Sequence, residues 1–489
     1  MPSREFRLTK SRFAAGVQCH KLLWWTVHEP AAPELQPDRV LQDLFDQGKA
    51  VGVAARTCFS GGTLIDLPSA ARDARIAATK DAIASGASAI FEAAFEHDGV
   101  FVAVDVLRRV DDGFELIEVK SSSSQKPEHI ADVALQKYVV AANGVNVTGC
   151  AVMHLNKENR FPSTDDLFAT TDVTAEVDAY LPGVPDELAR QRSMVAGDTP
   201  EVGIGTHCSD PRDCPFLERC WPQDANHIKM LNQVGPKKAD QFMAKGVHWI
   251  SDIPNTHKLH WRQRRQIQAM RENRLIVSDT LDRELEPFNC TLGFLDFETI
   301  ARAMPVWPDM GPWHQAAAQY SYHEDRPDGT YAHEEHLAEG PLDARPLLAE
   351  RMVEATKRAE RVVMYTSFER TQIRNLGRAV PHLANELHEL EEKLIDLFPV
   401  VRDHVYHPDF RGSFSLKYVL TPLVPGLTYS DLIIVDGRVA SVEIARLLFV
   451  AGKVPPEEHD RVRKDLLDYC ERDTWAMVRL LQRLRELAR

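Results

Sequence analysis

Three groups of residues have types and spacing suited to chemistry. In the first, Asp105 lies on FVAVDVLRRV, and Glu118-Val119-Lys120 ends FELIEVK. Both segments are rich in valine, isoleucine and phenylalanine, and DDG separates them, which predicts a β-hairpin. Alternate strand residues share a face, so Glu118 and Lys120 project together while Val119 turns into the core. The hairpin can set Asp105 beside them. Two carboxylates on adjoining strands can hold Mg²⁺ or Mn²⁺, hard ions that prefer oxygen. Such an ion lowers the pKa of bound water and stabilises charge on a phosphate. Lys120 can orient the attacking water and offset developing negative charge. Glu92, ahead of these strands, can approach the same ion. Gln136, followed by Tyr138, lies on the predicted helix IADVALQKYVVAAN, which can pack over the site.

The second group opens with LDFET, an apolar strand that places Asp296 and Glu298 on one face and Phe297 on the other. Acids so spaced can ligate two metal ions about 3.5–4 Å apart. Far downstream, Tyr469 and Asp473 stand four residues apart on a predicted helix and share a face. The tyrosine can orient a water and the aspartate can complete the metal shell. Between them, ERVVMYTSFE is a strand running into a helix, with Phe368-Glu369 at the junction.

The third group is cysteine. HCSDPRDCPFLERC carries Cys208, Cys214 and Cys220 as C-x5-C-x5-C, looser than the C-x2-4-C knuckle of zinc sites. A fourth ligand must come from elsewhere, and Cys19 in FAAGVQCHKLLWW is the best candidate. Four thiolates suit a [4Fe–4S] cluster, and the four sulfurs are expected within a few ångströms of one another. His207 in place of one thiolate would point to zinc. Disulfides are not expected in a reducing cytoplasm.

These groups must be positioned by a chain of 489 residues, enough for about two to four domains. Hydrophobic residues make up 44% and charged ones 27%, and the net charge is −14. That charge excludes a uniformly basic nucleic-acid coat but permits a local patch. KLHWRQRRQIQAMRENR offers one: Lys258, Arg262, Arg264, Arg265, Arg271 and Arg274 stand against the single acid Glu272, a stripe able to follow a phosphate backbone. Upstream, LNQVGPKKADQFMAKGVHWISDI is similar to a helix-hairpin-helix element, with Lys237 and Lys238 near its turn and Gln233 where such hairpins carry glycine. Residues 180–205, rich in proline and charge, are expected to connect domains, and 456–489 to form one amphipathic helix. No apolar run reaches the ~18 residues of a membrane helix. The first residues hold no apolar signal core, so a cytoplasmic location is expected.

The aspartate, the E-x-K triplet and the following glutamine helix resemble PD-(D/E)XK nucleases of the RecB-like branch, over about residues 5–225. That branch often pairs one early cysteine with three late ones around an iron–sulfur cluster, as Cys19 and Cys208, Cys214 and Cys220 would. It also often carries a metal-ligand histidine on an early helix, where FDQGKAVGVAAR has none. D-x-E followed by Y-x-x-x-D resembles the DEDD exonucleases of the RNase H-like fold, over roughly residues 288–489. Their middle motif ends in F-D, a position held here by Glu369, and HPDFRGSFSLKYVL is similar to a segment of such proteins. The resemblance implies a multidomain α/β protein: a PD-(D/E)XK core at 1–225, a helix-hairpin-helix-like linker at 226–285, and an RNase H-like mixed sheet at 286–489. It implies metal-dependent, exonucleolytic hydrolysis of phosphodiester bonds, with DNA the expected partner and RNA the alternative. The competing expectation is a nucleic-acid-binding or scaffolding protein with one degenerate site.

Overall fold

Alternating runs of β-branched and apolar residues form two mixed sheets, each covered by helices, in a computed structural model that describes residues 8–255, 257–450, 452 and 454–489. The signal-core expectation for the first seven residues lies outside that set. The protein is mixed α/β and multidomain, as expected. The chain divides into two compact units. The first comprises residues up to 221 with 302–306 and 310–313; the second comprises 222–301, 307–309 and 314–489.

The first unit runs β1 (Leu8–Thr9), α1 (Lys10–Gln18), α2 (His20–His28), α3 (Arg39–Arg56), β2 (Thr63–Leu64), α4 (Arg72–Ala84), β3 (Ala89–His97), β4 (Val100–Val110), β5 (Gly113–Lys120), α5 (Pro127–Ala142), β6 (Val147–Leu155), β7 (Phe168–Asp172), α6 (Thr174–Tyr180), α7 (Val184–Ala196) and α8 (Leu217–Cys220). Its sheet has the order β2-β3-β4-β5-β6-β7, with β1 pairing parallel to the start of β4. The predicted hairpin is β4–β5, in register from Val106–Ile117 to Val110–Gly113. Phe114 and Leu116 pack with α5 residues Val133, Ala134 and Leu135, whereas Ile117 and Val119 meet Ala55 and Phe59. Residues 180–205 are not a plain connector. They contain α7, whose Leu188 and Val195 are buried. The proline and acids read as linker composition are helix-start signals: Pro185 in the first turn, then Asp186 and Glu187 facing the positive end of the helix dipole.

The second unit runs α9 (Pro236–Met243), α10 (Trp261–Glu272), β8 (Ile276–Val277), α11 (Leu281–Glu284), β9 (Leu292–Ala301), β10 (Gln315–Asp325), β11 (Tyr331–Leu337), α12 (Arg345–Ala355), β12 (Arg361–Met364), α13 (Phe368–Ala379), α14 (Ala384–Lys393), β13 (Leu394–Asp396), α15 (Phe398–His404), β14 (Val405–Tyr406), α16 (Leu416–Leu423), α17 (Gly437–Phe449) and α18 (Pro456–Leu487). Its five-stranded sheet has the order β11-β10-β9-β12-β13; the pairs β11/β10 and β10/β9 are antiparallel, β9/β12 and β12/β13 parallel. Leu295 and Phe297 on β9 pack with Leu348, Met352, Ile373 and Leu376. The alternate residues Asp296 and Glu298 face the other way, toward α17 and α18, which cover that side of β9.

The expected separate linker at 226–285 groups instead with the second unit. Most of the expected basic stripe is spent on internal contacts. Arg262 pairs with Asp403 at 2.6 Å, Arg265 donates to the carbonyls of Arg402 and Asp403, Arg271 binds Ser251 O and Asn255, and Arg274 pairs with Glu272. In the hairpin before α9, Gln233 adopts φ 52° and Gly235 φ 66°, so the glutamine takes the left-handed conformation that glycine adopts cheaply.

Gly412 fastens this segment to the rest of the unit. Its φ is 80°, an added Cβ would lie 2.2 Å from the Met230 carbonyl oxygen, and its own carbonyl accepts from Asn232 at 3.1 Å. Both the backbone conformation and the space exclude a side chain. Gly412→Ala should therefore destabilise the second unit by about 2 kcal/mol or more, read as a lowered urea midpoint; an unchanged midpoint would show that the segment docks without this contact.

Candidate metal centres

In the second unit, Asp296 and Glu298 project from β9, and Asp473 from α18. One carboxylate oxygen of each lies within 4.8 Å of the others. The alternation of β9 turns the acids away from the core of Leu295 and Phe297 toward α17 and α18. Glu369 stands in the first turn of α13, where the chain leaves β12, and is 3% exposed. Its carboxyl meets that of Asp296, and its Oε2 is buried with no hydrogen-bond partner. Tyr469, one helical turn before Asp473, hydrogen-bonds to it. The structure thus brings together all five residues of the second group.

The electrostatics follow from burial. Asp296 is pushed well above the usual carboxylate range by desolvation and then by the charge of Asp473. Glu298 is raised by desolvation and by Asp296 and Asp473. Glu369 is raised by desolvation and by Asp296. Desolvation also raises Asp473, against hydrogen bonds from Tyr429 and Tyr469 and the nearby Lys417 charge. Buried like charges favour protons or a metal ion.

Sequence reasoning missed four neighbours. Lys417, at the start of α16, donates to Tyr469 Oη at 3.2 Å and to the Val435 carbonyl, and lies 5.1–5.3 Å from the ring centres of Tyr469 and Tyr429. Tyr429 donates to Asp473 Oδ1 at 2.5 Å. The Cys470 thiol lies 3.5 Å from Asp296 Oδ2. Gly437, at the start of α17, comes so close that an added Cβ would lie 3.3 Å from Glu298 Oε2. Lys417 sits in the segment HPDFRGSFSLKYVL, the one available signal; nothing in the sequence pointed to the others. A second group of ligand type, His323, His333 and Glu471, lies on β10, β11 and α18. Its imidazoles are stacked with centroids 4.5 Å apart and planes 24° from parallel, so as placed their in-plane lone pairs do not converge on one ion.

In the first unit, β4 and β5 separate beyond Val106–Ile117. Asp105 fills the opening by accepting the Val119 N–H at 2.7 Å. Glu118 is saturated: Oε1 accepts from Lys10 at 2.7 Å and Lys120 at 2.9 Å, and Oε2 accepts from Gln136 at 2.7 Å. Lys120 also pairs with Asp132 at 2.7 Å. Burial by itself would raise Glu118, but the ammonium groups of Lys10 and Lys120 overcome it and hold the carboxyl well below its ordinary value. Asp105 is pushed up to about 7 by desolvation and then by Glu118, which outweigh the nearby Lys10 charge and the Val119 N–H. Glu92 pairs with Arg56 at 3.1 Å and Arg75 at 3.5 Å, and its charge is felt at Asp105. It holds φ 59° inside β3, where the ladder to β4 passes from Phe91–Val106 to Ala93–Val104. A non-glycine residue there is strained. Tyr138 points elsewhere, against His97 and the core. Lys10 and Asp132 were not legible in the sequence.

Cys19, Cys208, Cys214 and Cys220 line one small cavity together with His207. Burial raises the Cys214 thiol to about 11, and the other three cysteines add to the effect. The expected spacing is not met: among the described residues, no three of these sulfurs fall within 4.8 Å of one another. A single tetrahedral zinc with bonds of about 2.3 Å would need thiolates about 3.8 Å apart, closer than this arrangement. All eight cysteines are free of disulfides.

Asp105 gives a pH dependence. Its folded value of about 7 lies above the ~3.9 of an unfolded aspartate, so the folded chain retains a proton that the unfolded chain releases. This contribution is fully present below about pH 4 and is lost as pH rises to about 7. In metal-free buffer, Asp105→Asn should remove that slope, and its Tm relative to the parent should rise between pH 5 and pH 8 by roughly 2–4 °C per kcal/mol recovered. Parallel Tm profiles for the two chains would contradict the assignment.

Residues 293–415 match the family model described as Domain of unknown function (DUF2779). This quarter of the chain includes Asp296, Glu298 and Glu369 and ends before Lys417, Tyr469 and Asp473. No curated protein and no solved structure matches. Among the described residues, no helix is long and apolar enough to cross a membrane.

Proposed function

We propose that the protein is a metal-dependent nuclease that hydrolyses phosphodiester bonds of DNA, exonucleolytically, with two candidate active sites. The observation that carries the reading is the convergence of Asp296, Glu298 and Asp473, residues 177 positions apart in sequence at the extremes, on one point 4.8 Å across. The sheet order β11-β10-β9-β12-β13, with its three antiparallel strands and two parallel ones, supports an RNase H-like assignment for this unit. The hairpin carrying Asp105, Glu118 and Lys120 supports a PD-(D/E)XK assignment for the other.

The donor sets fit hard divalent ions. Every candidate ligand is a carboxylate oxygen, and the raised values of Asp296, Glu298, Glu369 and Asp473 mark a group of acids short of positive charge. Asp296, Glu298 and Asp473 would hold Mg²⁺ or Mn²⁺ in the second unit, and Asp105 and Glu118 in the first. Bound there, such ions would neutralise the acids, polarise the phosphate and activate water. The chain's own groups do the rest. Tyr469, beside Asp473, would orient the attacking water through its hydroxyl. Lys417 donates to the oxygen of that hydroxyl, so the tyrosine proton is directed to an acceptor, Asp473 or the water. In the first unit, Lys120 stands beside Glu118, able to offset negative charge developing on the phosphate, and Gln136 fixes the carboxylate plane of Glu118.

The cysteine pocket belongs to the same reading. We read the four thiols that line one cavity as the ligands of an iron–sulfur cluster, with zinc as the alternative. Cys19 would supply the ligand that ties the start of the domain to its end, a structural role. Protein purified without oxygen should carry iron and acid-labile sulfide, and Cys19→Ser should lose both. Colourless protein with bound zinc would replace the cluster but keep the tie, and metal-free protein would remove both.

The deciding experiment uses the whole chain with Mg²⁺ or Mn²⁺ on end-labelled single- and double-stranded DNA and RNA. Because Glu118 holds three donors, Glu118→Ala would leave the half-buried Lys10 ammonium without its carboxylate and Lys120 with Asp132 alone, and Glu118→Gln is the cleaner change. Asp296→Asn/Asp473→Asn should reduce cleavage by the second site about 100-fold or more, and Asp105→Asn/Glu118→Gln should do the same for the first. The four-fold variant should bind but not cut. Cleavage undiminished in that variant would refute both assignments, and tight DNA binding without any cleavage by the parent chain would favour the scaffolding alternative.

A further inference from the structure

The first centre already contains a cation of its own. Lys10 Nζ lies 2.7 Å from Glu118 Oε1, and the charges of Asp105 and Asp132 act on it as well. Its side chain is 30% exposed, that of Glu118 only 2%. Lys120 divides itself between Glu118 and Asp132, whereas among the described residues Glu118 is the one carboxylate within ion-pair distance of Lys10.

The backbone presents Lys10 there from a fixed stem. Leu8 and Thr9 pair with Val100 and Phe101 of β4, the strand that carries Asp105. Thr9 caps α1 by accepting from the Arg12 N–H, and Lys10 is the first helical residue. At the far end, the buried Gln18 donates to the carbonyls of His207 and Arg212 at 2.8 and 2.7 Å. Gly16 lies so close to Gln191 that an added Cβ would meet that side chain at 2.3 Å. A nine-residue helix spans about 13 Å, so α1 is a short rod pinned at both ends with Lys10 at its tip.

Neither oxygen of Glu118 is free. Oε1 carries two ammonium groups and Oε2 carries Gln136. A divalent ion on Oε1 would share that atom with a lysine 2.7 Å away, and two cations at such a distance repel strongly. We propose that Lys10 is the resident counter-ion of the first carboxylate centre, and that a divalent ion binds there by displacing it from Glu118. Metal entry is then an exchange of cations that leaves the buried Glu118 neutralised throughout. The displaced ammonium stays on α1, at the edge of the centre, as a positive charge facing incoming substrate. The inference rests on the reading of Asp105 and Glu118 as metal ligands.

Mn²⁺ binding to the whole chain tests it, by calorimetry at pH 8, with the second centre silenced by Asp296→Asn/Asp473→Asn. Lys10→Met should bind Mn²⁺ about tenfold or more tightly than the Lys10 parent, because the ion no longer competes with a charge-assisted hydrogen bond. Lys10→Arg should not tighten it. In the Lys10 chain, acetylation of Lys10 by an amine-reactive ester should rise several-fold when Mn²⁺ is added, and should be high without Mn²⁺ in Glu118→Gln. Mn²⁺ affinity equal or weaker in Lys10→Met, or Lys10 labelling indifferent to saturating Mn²⁺, would overturn the exchange while leaving the metal reading standing. Absence of Mn²⁺ binding in both chains would overturn the metal reading, and the exchange with it.

Discussion

Burying carboxylates near one another is the constraint on which both centres depend. A buried acid loses its hydration, and a second acid beside it adds repulsion, so each such group needs a cation, a donor or a proton. The two units meet this need in opposite ways. Around Glu118 the chain supplies Lys10, Lys120 and Gln136, and that acid stays charged. Around Asp296, Glu298 and Asp473 the described residues supply a thiol, two tyrosines and the charges of Lys417 and Arg472, and the acids are still pushed upward. One centre is neutralised from within; the other calls for charge from outside.

The secondary structure serves this contrast. In the second unit, the sheet provides an acid-bearing face on β9, α13 adds Glu369 where the chain leaves the neighbouring strand, and α18 closes the cluster with Tyr469 and Asp473. The apolar face of the same strand is locked by Leu295 and Phe297 against α12 and α13, which fixes where the acids point. In the first unit, the point where β4 and β5 part leaves the Val119 N–H unpaired by the ladder, and Asp105 takes it. The strained Glu92 sits at the corresponding place on the other side of β4. Irregular backbone and functional acids thus coincide, as they do where strain is held in place by its surroundings.

The arginines of the middle segment show how a charge pattern misleads. Six basic residues against one acid suggest a nucleic-acid surface, yet Arg262, Arg265 and Arg271 find acid and carbonyl partners elsewhere in the same unit, and Arg274 pairs with the stripe's own Glu272. A sequence displays charge but not its partners. The glutamine in the hairpin before α9 carries a related lesson: the expected glycine is missing, but the left-handed turn forms all the same.

Much of the local structure was legible from residue order. The β4–β5 hairpin, the strand bearing Asp296 and Glu298, the strand–helix junction at Glu369 and the long final helix all follow from periodicities of two or 3.6, which depend only on neighbours along the chain. The shared faces of Asp296 with Glu298 and of Tyr469 with Asp473 follow from the same rule. Tertiary structure decided what local rules cannot reach. It drew the cysteines to one cavity but not to the expected spacing, turned a proline-rich connector into α7, and withdrew Tyr138 from the first centre. It brought Lys10 to Glu118 across 108 positions and Lys417 to Tyr469 across 52. Such pairs arise from how helices settle on a sheet, and a lone lysine carries no mark in the sequence of the buried acid that will need its charge.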